Sequence, residues 1–171
     1  YYQDTRFEIR LSTLMAYRFP YSRVSSLLLP DIAKVKFHPL IKIGLLKESN
    51  LVKTEAYIDT GSQWCLFNND FAVPLGIKDY RDTKERIPLS GVGGKQPENI
   101  AYFHKLKLIV FKDIKNLTLK NAWKIDTFIG FLERPIGFSG ILGVYGFLGQ
   151  FVFKMNIPEG YFELEPIYDL D

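Results

Sequence analysis

The most informative stretch of the 171-residue chain is Ala56-Tyr57-Ile58-Asp59-Thr60-Gly61-Ser62, in which an apolar run ends on an acid, a hydroxyl and a glycine. A carboxylate at the end of a buried strand is partly desolvated, and the hydroxyls of Thr60 and Ser62 can hydrogen-bond to lock the loop around it. Gly61 lets the backbone approach Asp59 closely because it has no Cβ. The same residue types are common in turns, so this stretch alone indicates either a catalytic loop or an ordinary turn.

Short alternating runs occupy much of the remaining chain. In the clearest, 100–111, Leu106 and Leu108 fall on one face and Lys105 and Lys107 on the other, the pattern of a half-buried antiparallel strand. Five further runs are bounded by turn residues: Val35–Leu46, Val52–Ile58, Leu117–Ile125, Gln150–Met155 and Tyr161–Leu164. Many short strands predict an all-β barrel or sandwich.

Helical signals are confined to two short segments, 69–76 and 145–149. The uncharged stretch 135–153 has nearly the length of a membrane span. Five glycines recur through it at steps of three, which suits tight turns and close backbone packing better than a lipid-facing helix. We therefore expect one or two short helices and no membrane partner.

The composition is that of a globular domain, with 47% hydrophobic and 24% charged residues. It excludes a disordered chain, and the length fits one hydrophobic core. The net charge of +3 is too small and too dispersed for a nucleic-acid surface, so no nucleic-acid partner is expected. Cys65 is the single cysteine, so the chain cannot form an internal disulfide, and it lacks the spacing of Cys and His residues that marks a zinc site. A lone thiol favours a cytoplasmic location.

A second glycine-rich segment is Ile87-Pro88-Leu89-Ser90-Gly91-Val92-Gly93-Gly94-Lys95. Its glycines can hinge a hairpin that closes over a substrate and excludes water. A plain glycine-rich turn is the alternative. A phosphate-binding loop is disfavoured because Gln96-Pro97 follows Lys95, where such a loop has a Ser or Thr that opens a helix.

Three segments, taken in order, resemble the retropepsin-like aspartic proteases, the single-domain relatives of the retroviral proteases. Tyr57–Ser62 resembles the catalytic loop, Ile87–Lys95 the flap, and Gly140–Gly143 the hydrophobic-hydrophobic-glycine element. Beyond these three segments, Phe147-Leu148 resembles the start of the family's C-terminal helix. The resemblance covers about residues 35–166. It implies a small closed β-barrel whose active site forms only when two copies pair.

The resemblance also implies an activity, namely an aspartic endopeptidase that acts on a peptide or protein substrate as a homodimer, without a metal or cofactor. Two Asp59 carboxylates about 3 Å apart would share one proton and hold the attacking water. Thr60 would hydrogen-bond across the dimer, Gly61 would leave room for that crossing, and Ser62 could donate to the outer oxygen of Asp59. The flap would comprise Ser90, Gly91, Val92, Gly93 and Gly94, and the second element Ile141, Leu142 and Gly143.

One feature of the sequence departs from the family pattern, and another excludes one class of aspartic protease. After Gly143, retroviral members usually carry an arginine that supports the dimer, whereas this chain has Val144 and Tyr145. Only one Asp-Thr-Gly is present, which excludes a two-lobed monomer. The alternative function is a catalytically silent dimeric module that uses the same cleft to bind a peptide or protein.

Residues 1–34 are predicted to form an extended N-terminal arm that precedes a domain spanning 35–171. Prolines in this segment push their preceding residues toward extended geometry. Its leucines favour packing against another surface, because large apolar sets are seldom left exposed. We expect the arm to supply an interface strand; occupation of the cleft and removal by processing are the alternatives.

Overall fold

The computed structural model of the chain describes residues 15–24, 36–91 and 94–170. Its twelve strands are β1 Tyr17–Pro20, β2 Ser22–Val24, β3 Lys36–His38, β4 Leu40–Lys47, β5 Asn50–Ile58, β6 Leu66–Asn68, β7 Arg86–Gly91, β8 Gly94–Phe111, β9 Ala122–Leu132, β10 Gly140–Leu142, β11 Phe151–Asn156 and β12 Tyr161–Pro166. Short 3-10 helices lie at Asn69–Phe71, Val73–Leu75, Leu119–Asn121 and Leu148–Gln150.

Six strands close into a barrel. Neighbouring strands follow the order β4, β5, β10, β6, β9 and β8, and β8 pairs back to β4 through Ile43–Leu46 and Lys107–Val110. Pairing within the ring is antiparallel except for β5 with β10 and β6 with β9. β7 extends β8 outside the ring. The all-β class and closed barrel expected from the sequence are confirmed.

The alternation of β8 explains how this wall closes over the core. Leu106 and Leu108 are buried in the main core, while Lys105 is exposed. Ile109 and Phe111, on the opposite face, are also buried. Three leucines pack over them in a separate cluster: Leu46 and Leu51 beside the β4–β5 turn, and Leu117. The strand predicted as half-buried is therefore buried on both faces at its end.

A second sheet of three strands, in the order β1, β12, β11, packs on the same core. Phe19 of β1 is only 2% exposed and stacks on Phe162 of β12, with ring centroids 5.3 Å apart. Tyr17 packs edge-on against Trp123 of the barrel at 5.0 Å. Part of the predicted arm thus lies in the hydrophobic core. The domain division at residue 34 stays a prediction, since 25–35 fall outside the described residues.

Two predicted strands are interrupted or shortened by another feature in the structure. Pro39 separates β3 from β4 within the run predicted as Val35–Leu46, because proline has no N–H to donate to a ladder. In the run Leu117–Ile125, a 3-10 helix precedes the strand, which starts at Ala122 and continues to Leu132. The helix start suggested at Phe147-Leu148 is a single 3-10 turn, and β11 follows it at once.

The uncharged stretch 135–153 folds as β10, a 3-10 turn and the start of β11. Among the described residues, no helix is long and apolar enough to cross a membrane.

Candidate active site

Asp59 follows β5 directly and is held between two neighbouring segments. The N–H of Ile58 donates to the carbonyl of Pro39 (2.9 Å), and the N–H of Asp59 donates to the carbonyl of Leu142 (3.1 Å). Ile58 is buried whereas Asp59 is partly exposed. Since successive side chains of an extended strand point to opposite faces, Asp59 turns away from the core side occupied by Ile58. The acid is therefore accessible to solvent on a well-fixed backbone.

The turn after Asp59 orients its carboxylate. The N–H of Gly61 donates to Oδ1 of Asp59 (2.9 Å), and the N–H of Ser62 donates to the Asp59 carbonyl (3.2 Å). A Cβ at Gly61 would lie 3.2 Å from that same Oδ1, so a glycine lets the N–H approach without crowding. Thr60 and Gly61 are exposed. In a single chain, the loop thus presents its tip to solvent with the acid held in one orientation.

Ser62 makes a contact other than the one suggested by the resemblance. Its hydroxyl donates to the carbonyl of Trp64 (2.9 Å), while Asp59 Oδ1 is held by the Gly61 N–H. Ser62 therefore closes the loop on its own downstream backbone.

Ile141, Leu142 and Gly143 lie directly against the Asp59 loop. β10 pairs Ile141 with Tyr57 and Leu142 with Ile58 in a parallel register. Beyond β10, the N–H of Val144 donates to the Ser62 carbonyl (2.9 Å), and the N–H of Tyr145 to the Gln63 carbonyl (2.7 Å). The predicted second element and the predicted catalytic loop are thus brought together.

Gly143 occupies a position that has no room for a side chain. A Cβ there would meet the Trp64 carbonyl oxygen most closely, and it would lie 2.7 Å from both the Ser62 carbonyl oxygen and the Trp64 nitrogen. All three obstructing atoms belong to backbone, which cannot rotate away as a side-chain tip can. Glycine at 143 is therefore what allows this segment to pack against the loop that carries Asp59.

The predicted flap coincides with the hairpin of β7 and β8. Ser90 pairs with Lys95 and Gly91 with Gly94, with a register shift between Pro88 and Ser90. Val92 and Gly93, also predicted as flap residues, lie outside the described residues. At the hairpin base, Ile87 and Leu89 pack on a cluster that includes Phe103 and Trp64. Trp64 belongs to the segment that follows the Asp59 loop, so the base of the hairpin and the loop share one apolar cluster.

A polar network holds the chain leading into the hairpin, and sequence reasoning missed it. Arg81 binds Glu133, the residue that follows β9, through Nε and Nη2, with Nε 2.9 Å from Oε2. Tyr80 approaches the same carboxylate, and its carbonyl lies 2.8 Å from Nε2 of His104. The Arg81 guanidinium lowers the pKa of Glu133 below its usual value. These residues are far apart in the chain, and no local pattern marks them.

Two aromatic residues lie beside the acid: Tyr57, which the sequence placed in the catalytic-loop segment without a role, and Phe138, which sequence reasoning missed. Tyr57 precedes Asp59 by two residues, and its ring contacts that of Phe138 with centroids 4.7 Å apart. His38 also packs edge-on against Tyr57, with ring centroids 5.2 Å apart. The period of two between Tyr57 and Asp59 was the available signal, because it places both on the same side of an extended strand.

Cys65 and the histidines form no second reactive centre in the described parts of the chain. Cys65 is fully buried, and burial raises the pKa of its thiol to about 12, which disfavours the nucleophilic thiolate. Residues 15–24, 36–91 and 94–170 contain no cluster of three or more His, Cys, Asp or Glu side chains able to hold a metal ion.

Comparison with solved structures identifies the fold. The crystal structure of a retropepsin-like aspartic protease from Rickettsia conorii superposes with a TM-score of 0.55 and 19% sequence identity. The match covers 89% of this chain and 92% of that one. No protein-family model and no curated protein sequence matches the chain. At this identity the likeness is one of fold, and the chain has the retropepsin-like fold that its three ordered segments resemble.

Proposed function

We propose that the chain is an aspartic endopeptidase that works as a homodimer, with one Asp59 from each copy. The observation that carries the proposal is the held carboxylate, which follows β5, accepts from the Gly61 N–H at 2.9 Å and remains partly exposed. Its backbone is fixed by Leu142 of β10. An acid on a rigid, solvent-facing loop is what a water-activating site requires, since catalytic groups work only when held in position.

The proposed chemistry needs two carboxylates and one water. Two such groups about 3 Å apart share a single proton, because like charges that close do not both ionise near neutral pH. The ionised Asp59 takes a proton from the water while the protonated one polarises the peptide carbonyl. The water oxygen bonds to the carbonyl carbon, the C–N bond breaks, and the departing amine takes up a proton. A carboxyl group and an amine are the products.

The second copy supplies the second acid, because the chain contains one Asp-Thr-Gly. In the proposed dimer the exposed tips of the two loops, at Thr60 and Gly61, face each other. Thr60 then hydrogen-bonds to the partner loop, as the family resemblance implies. Val144 and Tyr145 are 40% and 58% exposed directly beyond the segment that packs on the loop. They offer an apolar contact at the place where retroviral members carry an arginine.

The second candidate function is a silent dimeric module that binds a peptide without cleaving it. The observation that favours it is the Val144-Tyr145 pair, which replaces a charged dimer support with apolar groups. A looser or different pairing would keep the two Asp59 carboxylates too far apart to share a proton.

The direct test is Asp59→Asn, which removes the ionisable group and keeps nearly the same shape. We expect peptide cleavage to fall by about 10²- to 10⁴-fold, the usual contribution of a general acid or base, with an unchanged unfolding midpoint. The matched control is Asp126→Asn, because Asp126 is an exposed acid of the barrel that pairs with Lys107. Cleavage within about tenfold of wild type, a loss of only about 1.4 kcal/mol, would place the chemistry elsewhere.

Dilution tests the shared site separately. If each copy supplies half of the site, the activity per chain must fall when the protein concentration is lowered below the dimer dissociation constant. Sedimentation at the same concentrations gives the dimer fraction. Constant activity per chain from a protein that sediments as a monomer would refute the shared site.

A further inference from the structure

A cleft of about 250 Å³ opens on the barrel surface beside the Asp59 loop. It is lined by Leu40, Glu55, Tyr57, Gly137, Phe138 and Ser139. Leu40 and Tyr57 are directly paired across β4 and β5, and residues 137–139 run into β10. The lining therefore comes from β5 itself, the strand that leads into Asp59, and from the two segments that flank it.

The cleft and the acid lie on the same side of β5. Ala56 and Ile58 are buried, whereas Glu55, Tyr57 and Asp59 are partly exposed, so the three alternate residues share one face. Two residues of an extended strand span about 7 Å, which sets the separation of Tyr57 from Asp59 along the chain. A peptide whose scissile bond lies at Asp59 thus places a neighbouring side chain within reach of this cleft.

The walls and one end of the cleft differ in chemistry. Tyr57 and Phe138 supply aromatic surface, with their rings in edge contact at 4.7 Å. Glu55 supplies a carboxylate whose Oε2 accepts from Lys42 Nζ at 2.8 Å. Lys42 lies opposite Glu55 across β4 and β5 but is not part of the cleft lining, so Glu55 is the charged residue that lines the cleft. Among the described residues, no donor is within hydrogen-bond distance of Oε1 of Glu55.

We propose that this cleft binds a lysine or arginine side chain of the peptide substrate, close to the bond that is cleaved. The inference rests on the proposed function. The aliphatic stem lies along Tyr57 and Phe138, as long basic side chains do on apolar surface. The cationic end reaches the free oxygen of Glu55 and the negative faces of the two rings.

Other side chains fit this chemistry less well. An acidic side chain would meet the Glu55 carboxylate as a like charge. A purely apolar side chain would cover the aromatic walls but would remove water from Glu55 without replacing it by a donor, which carries a desolvation cost. A basic side chain covers the aromatic walls and supplies a donor to Glu55, so it is the class of side chain that fits both the walls and the charged end of the cleft.

The test uses peptides that differ at one position, with lysine, arginine, norleucine or phenylalanine placed in turn at each site around the scissile bond. For the wild-type dimer we expect kcat/KM to favour lysine or arginine over norleucine by about three- to tenfold, as partly exposed ion pairs and cation–π contacts allow. This preference should shrink at high salt, which screens exposed charges.

Glu55→Gln is the decisive variant, with Glu48→Gln as its matched control. Glu48 also pairs with a lysine of the β4–β5 hairpin, Lys47, but lies at the hairpin turn rather than in the cleft. Glu55→Gln should lower kcat/KM for the lysine and arginine peptides by about three- to tenfold relative to the norleucine peptide, and so abolish the basic preference. Glu48→Gln should retain the preference. Equal loss in both variants, or a wild-type preference for phenylalanine or norleucine, would overturn the proposal.

A second variant and a binding measurement separate this inference from the proposed function. Gly137 lines the cleft and a Cβ there would meet nothing within 4 Å, so Gly137→Leu adds bulk beside the cleft without a clash and should lower kcat/KM for the lysine peptides. Fluorescence anisotropy with Asp59→Asn measures peptide binding without turnover. Cleavage with no basic preference refutes the cleft assignment alone. A Glu55-dependent preference in binding, with no cleavage by wild type, refutes the peptidase alone, and neither binding nor cleavage refutes both.

Discussion

Gly143→Ala should damage the Asp59 loop through one added methyl group. The new Cβ would meet the Trp64 carbonyl oxygen most closely, and it would lie 2.7 Å from both the Ser62 carbonyl oxygen and the Trp64 nitrogen. Ordinary contacts of a Cβ begin near 3.4 Å, so the two backbone segments must separate by about 1 Å. That movement also lengthens the bond from Val144 N–H to the Ser62 carbonyl, now 2.9 Å.

The magnitude follows from these contacts. Overpacking a well-packed site costs about 1–3 kcal/mol, and a weakened hydrogen bond adds about 1 kcal/mol. For a chain of this size, the total of about 2–4 kcal/mol lowers Tm by about 4–16 °C. A displacement approaching 1 Å at a catalytic group costs up to about 10²-fold in rate, so cleavage should fall by about 10- to 100-fold. The cleavage rate should therefore fall by more than the fraction of unfolded protein accounts for.

Thermal unfolding and peptide cleavage at a temperature where both proteins are folded provide the assay. The matched control is Gly44→Ala in β4, where the added Cβ would meet the flexible tip of Leu51 at 2.7 Å instead of backbone. That tip can rotate away, so we expect Tm within about 2 °C of wild type and unchanged cleavage. A Gly143→Ala protein with wild-type Tm and rate would refute the reasoning that this glycine positions the loop.

Three further perturbations follow from the structure. Phe19→Ala should lower the free energy of unfolding by about 3–5 kcal/mol in urea titrations, because Phe19 is 2% exposed and stacks on Phe162; a loss below about 1 kcal/mol would mean that β1 is not part of the core. Glu133→Gln should reduce the loss of stability in acid, measured as the urea midpoint against pH. Arg81 lowers the folded-state pKa of Glu133 below 4.5, so its stabilisation is present above that pH and is lost as pH falls through the lowered pKa; parallel pH curves for wild type and variant would contradict this. Cys65 should react with a thiol reagent only at the rate of unfolding, because its side chain is fully buried and its pKa is raised to about 12; rapid modification of the native protein would show that the site opens.

Much of the fold can be predicted from local pattern. The alternation of Leu106 and Leu108 with Lys105 predicts β8 because a strand has a period of two. The Asp59 turn is equally local, since Gly61 donates to an acid only two residues earlier. The lone Asp-Thr-Gly also determines that a paired-carboxylate site needs two copies. Each of these conclusions depends on residues close together in the chain, whose geometry follows from backbone sterics.

The tertiary structure alone decides which distant segments meet. Leu142 could pair with many strands of similar hydrophobicity, and only closure of the barrel sets it against Ile58 and beneath Asp59. Ser62 can donate to several acceptors, and the bend held by Val144 and Tyr145 turns its hydroxyl to Trp64.

The same is true of the cleft beside the acid and of the N-terminal strand. Tyr57 contacts Phe138 because β10 lies parallel to β5, and Phe19 is buried because β12 pairs with β1. The identity of an apolar side chain does not indicate which residue it packs against, because burial stabilises any well-packed contact to a similar extent. Partner choice depends on how all the strands fill one common core, and that is a property of the assembled barrel rather than of any stretch of sequence.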